Sequence, residues 1–377
     1  MIWRILICLV AVVGLSSPLA AFEISAREAI LVDETTGTIL YQKNANAPTE
    51  PSSMTKLMTV YLLFEKLASG TLTLEDTLPV SEKAWRKGGS KMFVEVGDSV
   101  MVEDLLRGIV VQSGNDASIV VAEGLSGSEG EFGELMTERA RELGMNGTTF
   151  RNSSGWPEEG HVTTVTDLAL LASRTIRDFP QYYHYYAETE FTYNSIHQTN
   201  RNPLLYSGVG ADGLKTGYTR AAGYGLTASA TRGDRRLILA VNGFESATAR
   251  ARESQAIIEW GFREYDAYHL LGTGDEVGTA RVWLGESDTV PLVLADDLVV
   301  TLPRATRDSL AVRIVYEGPV PAPIEEGQEI ARLVIEAPGV STVEQPLLAG
   351  RDVGKPSLLL RMATVLGYLI FGDAGAL

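Results

Sequence analysis

The sequence predicts an α+β fold in which helices cover an antiparallel sheet, followed by a small all-β domain and a C-terminal amphipathic helix. Residues 29–40 have the pattern of two strands joined by a turn at 34–37. Helical spacing of apolar residues dominates the middle of the chain, and a second strand pair with a last helix closes this part. Near Tyr265 the composition changes to short apolar runs divided by glycine, proline and aspartate, which is typical of a β unit.

The individual elements follow from the same periodicities. Helices are predicted where apolar residues recur every three or four positions, at 53–64, 104–109, 117–125, 132–143, 166–176 and 252–262. The second strand pair is predicted at 223–230 and 236–243. Strands of the β unit are predicted at 282–284, 292–293, 299–302, 310–316 and 330–335.

The N-terminus has the order of a secretory signal. Arg4 is followed by an apolar run over residues 5–15 and by small residues up to Ala21. The apolar run is shorter than the ~20 residues that cross a bilayer. We therefore expect residues 1–21 to be a signal peptide cleaved near Ala20 or Ala21, the alternative being a retained anchor. The single cysteine, Cys8, lies inside this segment, so the mature chain is predicted to have no disulfide and no cysteine nucleophile.

The C-terminus predicts a different membrane element at residues 356–372. Its polar residues recur at steps of four, three and four, which places them on one stripe of an otherwise apolar helix: Ser357, Arg361, Thr364 and Tyr368. A helix of ~15 residues is only ~22 Å long and does not span ~30 Å of hydrocarbon. We expect it to lie in the membrane interface, the alternative being a helix packed on the protein's own β domain.

Length and charge limit the remaining possibilities. The 377 residues suit two domains, which we place at 22–264 and 265–350. With 48 acidic and 32 basic side chains the formal net charge is −16, which argues against nucleic acid as a partner. The same charge means that membrane adhesion would depend on apolar area.

Three short motifs carry recognisable chemistry. In the first, Ser53 and Lys56 are three positions apart, so the amine can reach the hydroxyl and act as its base if its pKa falls. The second holds Ser113 and Asn115, small polar groups suited to relaying a proton and holding a peptide amide. The third is 215–217, Lys-Thr-Gly, which offers a second cation, a hydroxyl for a carboxylate, and a glycine that permits close approach of a backbone.

Each motif alone has an ordinary structural explanation. The S-x-x-K spacing occurs about once by chance in a chain of this length, and the other two suit turns or solvated faces. Their presence together, in this order and behind an export signal, favours a serine acyl-transfer enzyme.

The set S-x-x-K, S-x-N and K-T-G is the signature of penicillin-binding proteins and serine β-lactamases, which the chain therefore resembles. The surrounding stretches "PSSMTKLMT", "VVQSGNDAS" and "NRNPLLYSGVGADGLKTGYTRAAGYGLTASA" are similar in particular to the low-molecular-mass D-alanyl-D-alanine carboxypeptidases. The likeness covers about residues 26–262 and continues less specifically through a β domain and a terminal amphipathic helix. It implies the D,D-peptidase/serine β-lactamase fold for the main domain.

The resemblance implies roles at the matching positions. Ser53 would attack the carbonyl between two D-alanines, with Lys56 as general base. Ser113 would help to pass a proton to the leaving amine, with Asn115 beside it. The backbone N–H groups of Ser53 and Tyr218 would form the oxyanion hole. Tyr218 replaces a histidine often found there, but only its backbone has this role.

The carboxylate of the substrate is assigned to the third motif. The resemblance implies that Lys215 and Thr216 hold it, next to Gly217, and that Arg250 lies nearby. Arg252 is close enough in sequence to compete for that assignment. The implied partners are peptidoglycan stem peptides, β-lactams and the membrane surface, and the implied location is the periplasm or the outer face of the cytoplasmic membrane.

Several alternatives remain at this point. Glu142 and Asn146 have the E-x-x-x-N spacing with which some β-lactamases activate water, so a β-lactamase is one alternative. A D,D-endopeptidase and a catalytically idle wall-binding scaffold are the others. No cofactor or metal is expected, because the four histidines lack metal-ligand spacing: His161, His184, His197 and His269.

Overall fold

The structure is a computed structural model that describes residues 22–336, 338 and 342–356. The predicted signal peptide and the predicted C-terminal helix after Pro356 lie outside the described residues. Within the described residues, no helix is both long and apolar enough to cross a bilayer.

The N-terminal part contains nine strands and seven α-helices among the described residues. The strands are β1 (Glu28–Asp33), β2 (Thr38–Lys43), β3 (Thr77–Pro79), β4 (Ser99–Met101), β5 (Glu190–Tyr193), β6 (Ile196–Thr199), β7 (Ala211–Thr219), β8 (Gly223–Arg232) and β9 (Arg235–Phe244). The helices are α1 (Lys56–Ala68), α2 (Glu82–Arg86), α3 (Val102–Val110), α4 (Asn115–Ser126), α5 (Glu129–Glu142), α6 (Val165–Asp178) and α7 (Ala247–Glu264). Short 3₁₀ turns lie at Ser52–Thr55, Tyr183–Ala187 and Pro203–Tyr206.

The main sheet is antiparallel and has five strands in the order β2-β1-β9-β8-β7. The opening hairpin therefore pairs with the closing strands, which brings the two ends of this part together. One apolar core contains the buried faces of α1 and α3 to α6, and a second contains α7 on the other side of the sheet. The predicted α+β arrangement, a sheet covered by helices, is confirmed.

Helix α1 lies at the centre of the larger core. Ten of its thirteen residues are buried, which explains why apolar side chains occur around most of its circumference. A helix enclosed in this way holds its first turn in a fixed position. That turn carries Ser53 and Lys56.

Two motifs lie in elements that differ from the predicted ones. Ser53 belongs to a 3₁₀ turn, and the α-helix begins only at Lys56. Residues 215–217 lie within the edge strand β7, whereas the sequence pattern placed them before a strand pair. The glycines in β7 weaken its strand pattern, so periodicity did not reveal it.

The C-terminal part is a β unit with its own core. Its strands are β10 (Tyr265–Leu271), β11 (Glu276–Trp283), β12 (Thr289–Leu294), β13 (Leu298–Pro303), β14 (Ala311–Val315), β15 (Val320–Pro321), β16 (Glu329–Glu336) and β17 (Val343–Ala349). A six-stranded sheet has the order β14-β16-β17-β12-β11-β15, and β10 pairs with β13. The predicted small all-β domain is confirmed, but β10, β15 and β17 were not predicted.

A buried carboxylate joins the two parts. Asp33, at the end of β1, accepts hydrogen bonds from Arg235 Nε at 2.6 Å and from Thr301 Oγ1 at 3.0 Å. Arg235 also donates to the backbone oxygen of Tyr265 at 2.6 Å. Because Asp33 and Thr301 are fully buried, this contact links the main sheet to strand β13 in a place that water does not reach.

Candidate active site

The 3₁₀ turn before α1 places Ser53 and Lys56 on the same side of the chain. Residues three apart lie almost directly above each other in a 3₁₀ turn, and Lys56 Nζ donates to Ser53 Oγ at 3.1 Å. Thr55, between them, is hydrogen-bonded to Nε2 of His161 at 2.8 Å. Burial lowers the pKa of His161 to about 4, so its ring is neutral and holds the turn without adding charge.

Lys56 is fully buried and forms no ion pair with a carboxylate in the part of the chain that the structure describes. Its amine donates to Ser53 Oγ, to Asn115 Oδ1 at 2.8 Å and to the backbone oxygen of Ser154 at 2.5 Å. Burial, the largest cause, and the positive charge of Arg201 together lower its pKa to about 7, against the opposing charge of Asp116. A large share of the amine is therefore unprotonated near pH 7, as a general base requires.

The carbonyl of Ser154 is held in place by a turn built on one side chain. Asn152 Oδ1 accepts from the backbone N–H groups of Ser154 at 3.3 Å, Gly155 at 2.9 Å and Trp156 at 3.0 Å. Gly155 has a positive φ of 79°, and a β-carbon there would collide with the backbone carbonyl of Ser52. The 3₁₀ turn Ser52–Thr55, which carries Ser53, is called the nucleophile turn below. Only glycine at position 155 allows the Asn152 turn to come so close to it.

The second motif lies where α4 begins. Ser113 has a positive φ of 65° and is buried, and its hydroxyl has no hydrogen-bond partner among the described residues. Asn115 Nδ2 donates to the backbone oxygen of Gly88 at 2.9 Å. Asp116 accepts from the N–H groups of Met92 and Phe93, both at 2.9 Å, and so fixes the loop that faces the motif.

The third motif lies on the exposed edge of the main sheet. Lys215 is buried, and burial together with the charges of Lys56, Arg201 and Arg250 lowers its pKa well below the ordinary value. A β-carbon on Gly217 would collide with Oγ of Ser52, so the strand and the nucleophile turn touch only because this residue is glycine.

A cleft of about 450 Å³ joins the three motifs. Its lining residues are Ser53, Ser90, Ser113, Arg201, Thr216, Gly217, Tyr218, Tyr224 and Arg250. The remaining predicted site residues, Lys56, Asn115 and Lys215, are buried, and two of them are tied to the cleft by hydrogen bonds of Lys56 to Ser53 and to Asn115.

The structure distinguishes the two candidate arginines. Arg250 lines the cleft with its guanidinium 5.8 Å from the ring centre of Tyr224, and its Nε has no hydrogen-bond partner among the described residues. Arg252 is largely exposed and pairs with Glu253 at 2.9 Å. Tyr224 in turn packs on Tyr218, with ring centres 4.3 Å apart.

Sequence reasoning missed Arg201, Ser90 and Tyr224 in this cleft. Arg201 donates from Nη1 to Ser90 Oγ at 2.5 Å, and burial lowers its pKa. It lies between Asn200 and Asn202 in the quoted stretch "NRNPLLYSG", so the asparagines were a signal of an ordered loop. Nothing in the loop sequence indicated that it faces the nucleophile.

Replacing Arg201 with methionine is expected to move the acid limb of the pH–rate profile to higher pH. Loss of this positive charge raises the pKa of Lys56, so the amine is protonated at pH values where it is now free. The rate of acylation by a penicillin should fall several-fold more at pH 6 than at pH 8. An Arg220→Met variant is the control, because that exposed arginine is not among the charges that act on Lys56. An unchanged limb in Arg201→Met contradicts the prediction.

Glu142 lies away from the cleft. Its carboxylate is exposed on α5 and pairs with Arg139 at 2.5 Å. It therefore has no position from which to activate water at Ser53. Among the described residues, no group of three or more histidine, aspartate, glutamate or cysteine side chains is placed to hold a metal ion.

These features define the class of site: a serine beside a buried lysine of lowered pKa, in a cleft lined by cations. Comparisons with known proteins place the chain within that class. Residues 14–246 match the family described as D-alanyl-D-alanine carboxypeptidase, and residues 265–355 match the C-terminal domain of penicillin-binding protein 5.

Relatives match over most of both chains. D-alanyl-D-alanine carboxypeptidase DacC of Escherichia coli is 37% identical over 88% of this chain and 84% of its own. The crystal structure of penicillin binding protein 5 from Haemophilus influenzae aligns with a TM-score of 0.80 and 34% identity, over 89% of this chain and 99% of that one. Penicillin-Binding Protein D2 from Listeria monocytogenes in its ampicillin-bound form aligns with a TM-score of 0.59 and 30% identity, over 64% of this chain and 98% of that one. The chain belongs to the D-alanyl-D-alanine carboxypeptidase family.

Proposed function

We propose that this protein is a serine-type D-alanyl-D-alanine carboxypeptidase that removes the terminal D-alanine of peptidoglycan stem peptides and is acylated by β-lactams. The observation that carries the proposal is the 3.1 Å hydrogen bond between Lys56 Nζ and Ser53 Oγ, made by an amine whose pKa is lowered to about 7. Membership of the family supports the reaction, and the ampicillin-bound relative supports the reaction with β-lactams.

Acylation begins with transfer of the Ser53 proton to Lys56. The serine oxygen then attacks the carbonyl between the two D-alanines, and the backbone N–H groups of Ser53 and Tyr218 stabilise the negative charge that develops on its oxygen. When the C–N bond breaks, the leaving nitrogen takes up a proton, which Ser113 helps to deliver. The hydroxyl of Ser113 has no partner among the described residues, so it is free for this exchange. Water then hydrolyses the Ser53 ester and releases the shortened peptide.

The leaving D-alanine is held through its carboxylate. Thr216 supplies a hydroxyl, and Lys215 and Arg250 supply positive charge in a cleft with no carboxylate in its lining. Asn115 holds both Lys56 and the loop at Gly88, and so keeps the second motif against the nucleophile. Gly217 lets strand β7 lie against the nucleophile turn.

The direct test is release of D-alanine from a pentapeptide that ends in D-alanyl-D-alanine. We expect release by the purified protein, no release from the matching tetrapeptide with one D-alanine, and inhibition by benzylpenicillin. Mass spectrometry should place the penicilloyl group on the peptide that contains Ser53. An adduct on another peptide, or absence of D-alanine, contradicts the proposal.

The same assays distinguish the carboxypeptidase from the three alternative functions. A β-lactamase would turn the adduct over rapidly, whereas a carboxypeptidase would hold it for minutes. An endopeptidase would cleave cross-linked muropeptide dimers faster than pentapeptide. A wall-binding scaffold would form no adduct. The position of Glu142 on the outer surface of α5 argues against the first of these.

We also propose that the domains at 22–264 and 265–350 work outside the cytoplasm, with residues 1–21 as signal peptide and 356–372 as an amphipathic helix on the membrane surface. The full chain should co-sediment with lipid vesicles, and a chain ending at Gly354 should not. Leu366→Asp changes the apolar face and should weaken binding, whereas Thr364→Asp changes the polar stripe and should not. Equal binding by all four proteins contradicts this proposal.

A further inference from the structure

Lys87 and Trp156 form a contact beside the cleft that the proposed reaction does not use. The ammonium of Lys87 lies 4.5 Å from the centre of the Trp156 ring, a cation–π distance. Trp156 is 44% exposed, which is unusual for so large an apolar side chain. Among the described residues Lys87 forms no ion pair: nearby Glu129 pairs with Lys83 at 2.8 Å, although the charge of Lys87 also helps to lower the pKa of Glu129.

The pair borders the side of the cleft at Asn115. A β-carbon built on Gly89 would lie 2.7 Å from Asn115 Nδ2 and 3.1 Å from the Trp156 ring, so the amide and the indole both lie against this glycine. Trp156 also directly follows Gly155, whose backbone lies against Ser52. The indole is therefore held next to both the nucleophile turn and the second motif.

The part of the cleft assigned to the substrate carboxylate, around Thr216, is separate from Lys87 and Trp156. Positive charges that lower the pKa of Lys215 come from Lys56, Arg201 and Arg250. The charge of Lys87 acts instead on Lys56. Lys87 is thus closer to the nucleophile side than to the group of cations around Thr216.

The direction of a bound peptide follows from the proposed function, on which this inference rests. If the leaving D-alanine points to Thr216 and Arg250, the acyl half of the peptide leaves Ser53 on the other side, past Asn115. Each extended residue advances about 3.5 Å. The third residue of the stem, directly before the D-alanyl-D-alanine, then reaches Gly89 and the Trp156 ring.

We infer that Lys87 and Trp156 form a specificity subsite for the third residue of the stem peptide and favour a side chain that ends in a carboxylate. The methylene groups of such a side chain can lie on the exposed part of the indole, and its carboxylate can pair with the ammonium. Of the two carboxylates near this contact, Glu129 is buried and paired with Lys83, and Glu158 accepts a hydrogen bond from Asn152 Nδ2 at 2.9 Å. Neither forms an ion pair with Lys87 among the described residues. A partly exposed ion pair of this kind corresponds to a preference of up to about fivefold.

The test uses two pentapeptides that differ only at the third residue, meso-diaminopimelate in one and L-lysine in the other. Both residues carry an amine, and only the first carries an additional carboxylate. We expect kcat/KM of the native protein to be about fivefold higher for the diaminopimelate peptide. Lys87→Met should bring the ratio to about one, mainly through loss on that peptide. Lys66→Met is the control: this half-buried lysine lies about 15 Å from Lys56 along α1, and its loss should leave the ratio unchanged.

The ratio of kcat/KM for the two peptides distinguishes recognition of the third residue from an effect on the general base Lys56. Loss of the Lys87 charge also raises the pKa of Lys56, but that change alters both peptides and benzylpenicillin alike and cancels in the ratio. Trp156→Ala should raise KM for both peptides and leave kcat within about twofold, because it removes contact area and not chemistry. A ratio of one in the native protein, or a ratio that Lys87→Met does not alter, overturns the inference. Failure to release D-alanine from either peptide would instead count against the proposed function.

Discussion

A Ser53→Ala variant is expected to release D-alanine at least about 10⁴-fold more slowly than the native protein and to form no penicillin adduct. Ser53 supplies the oxygen that bonds to the substrate carbonyl, and the cleft offers no second hydroxyl with an amine at 3.1 Å. The fold should persist, because Ser53 is half-buried at the cleft and the change removes one oxygen atom.

The measurement is a D-alanine assay together with intact-mass spectra after incubation with benzylpenicillin. Ser69→Ala, at the exposed far end of α1, is the matched control and should form the adduct at the native rate. Equal melting temperatures of the two variants would show that folding is not the cause. A stoichiometric adduct on the Ser53→Ala protein would exclude Ser53 as the nucleophile.

Activity should also depend on the protonation of Lys56. Its pKa is lowered to about 7, so the neutral amine is the main form above that pH and the ammonium below it. Because only the neutral form accepts the Ser53 proton, kcat/KM should fall about tenfold for each unit below pH 6 and level off above pH 8. A Lys56→Met variant should lose about 10²- to 10⁴-fold in acylation rate and lose this acid limb with it.

The pH profile is best measured with a chromogenic ester that keeps the carboxylate of the leaving group, since that carboxylate stays ionised across the range and does not interfere. The Arg201→Met variant provides the internal comparison, since it should keep the limb and move it upward. An acid limb that persists unchanged in Lys56→Met would assign the titration to another group and remove Lys56 from the role of base.

The sequence alone predicted the contact within the first motif, between Ser53 and Lys56, but not how the three motifs come together. Ser53 and Lys56 are three residues apart, so their contact is local and follows from any helical turn. The approach of Ser113 and Lys215 to them depends on tertiary packing, and it was expected from the family resemblance and not from spacing. Ser154 was missed because it acts through a backbone carbonyl, which leaves no mark on the residue type.

The strands of the β unit show the same limit. Strand β16 was predicted because its apolar residues form a clear run, whereas all residues of β10 but the exposed His269 are half-buried, without regular alternation. β17 contains Pro346, which weakens a strand pattern. Its position beside β12 and β16 is decided by pairing, which residue order along one strand does not encode.

The carboxylate of Asp33 has a consequence for how the protein works as a whole. It is shared between a guanidinium on one domain and a hydroxyl on the other, out of contact with solvent. Separating the two domains would leave Asp33 paired with Arg235 on its own domain, but it would break the hydrogen bond from Thr301 and that of Arg235 to the backbone oxygen of Tyr265. We therefore expect these bonds to limit rotation of the β unit against the main sheet, so that the cleft keeps one orientation relative to strand β13.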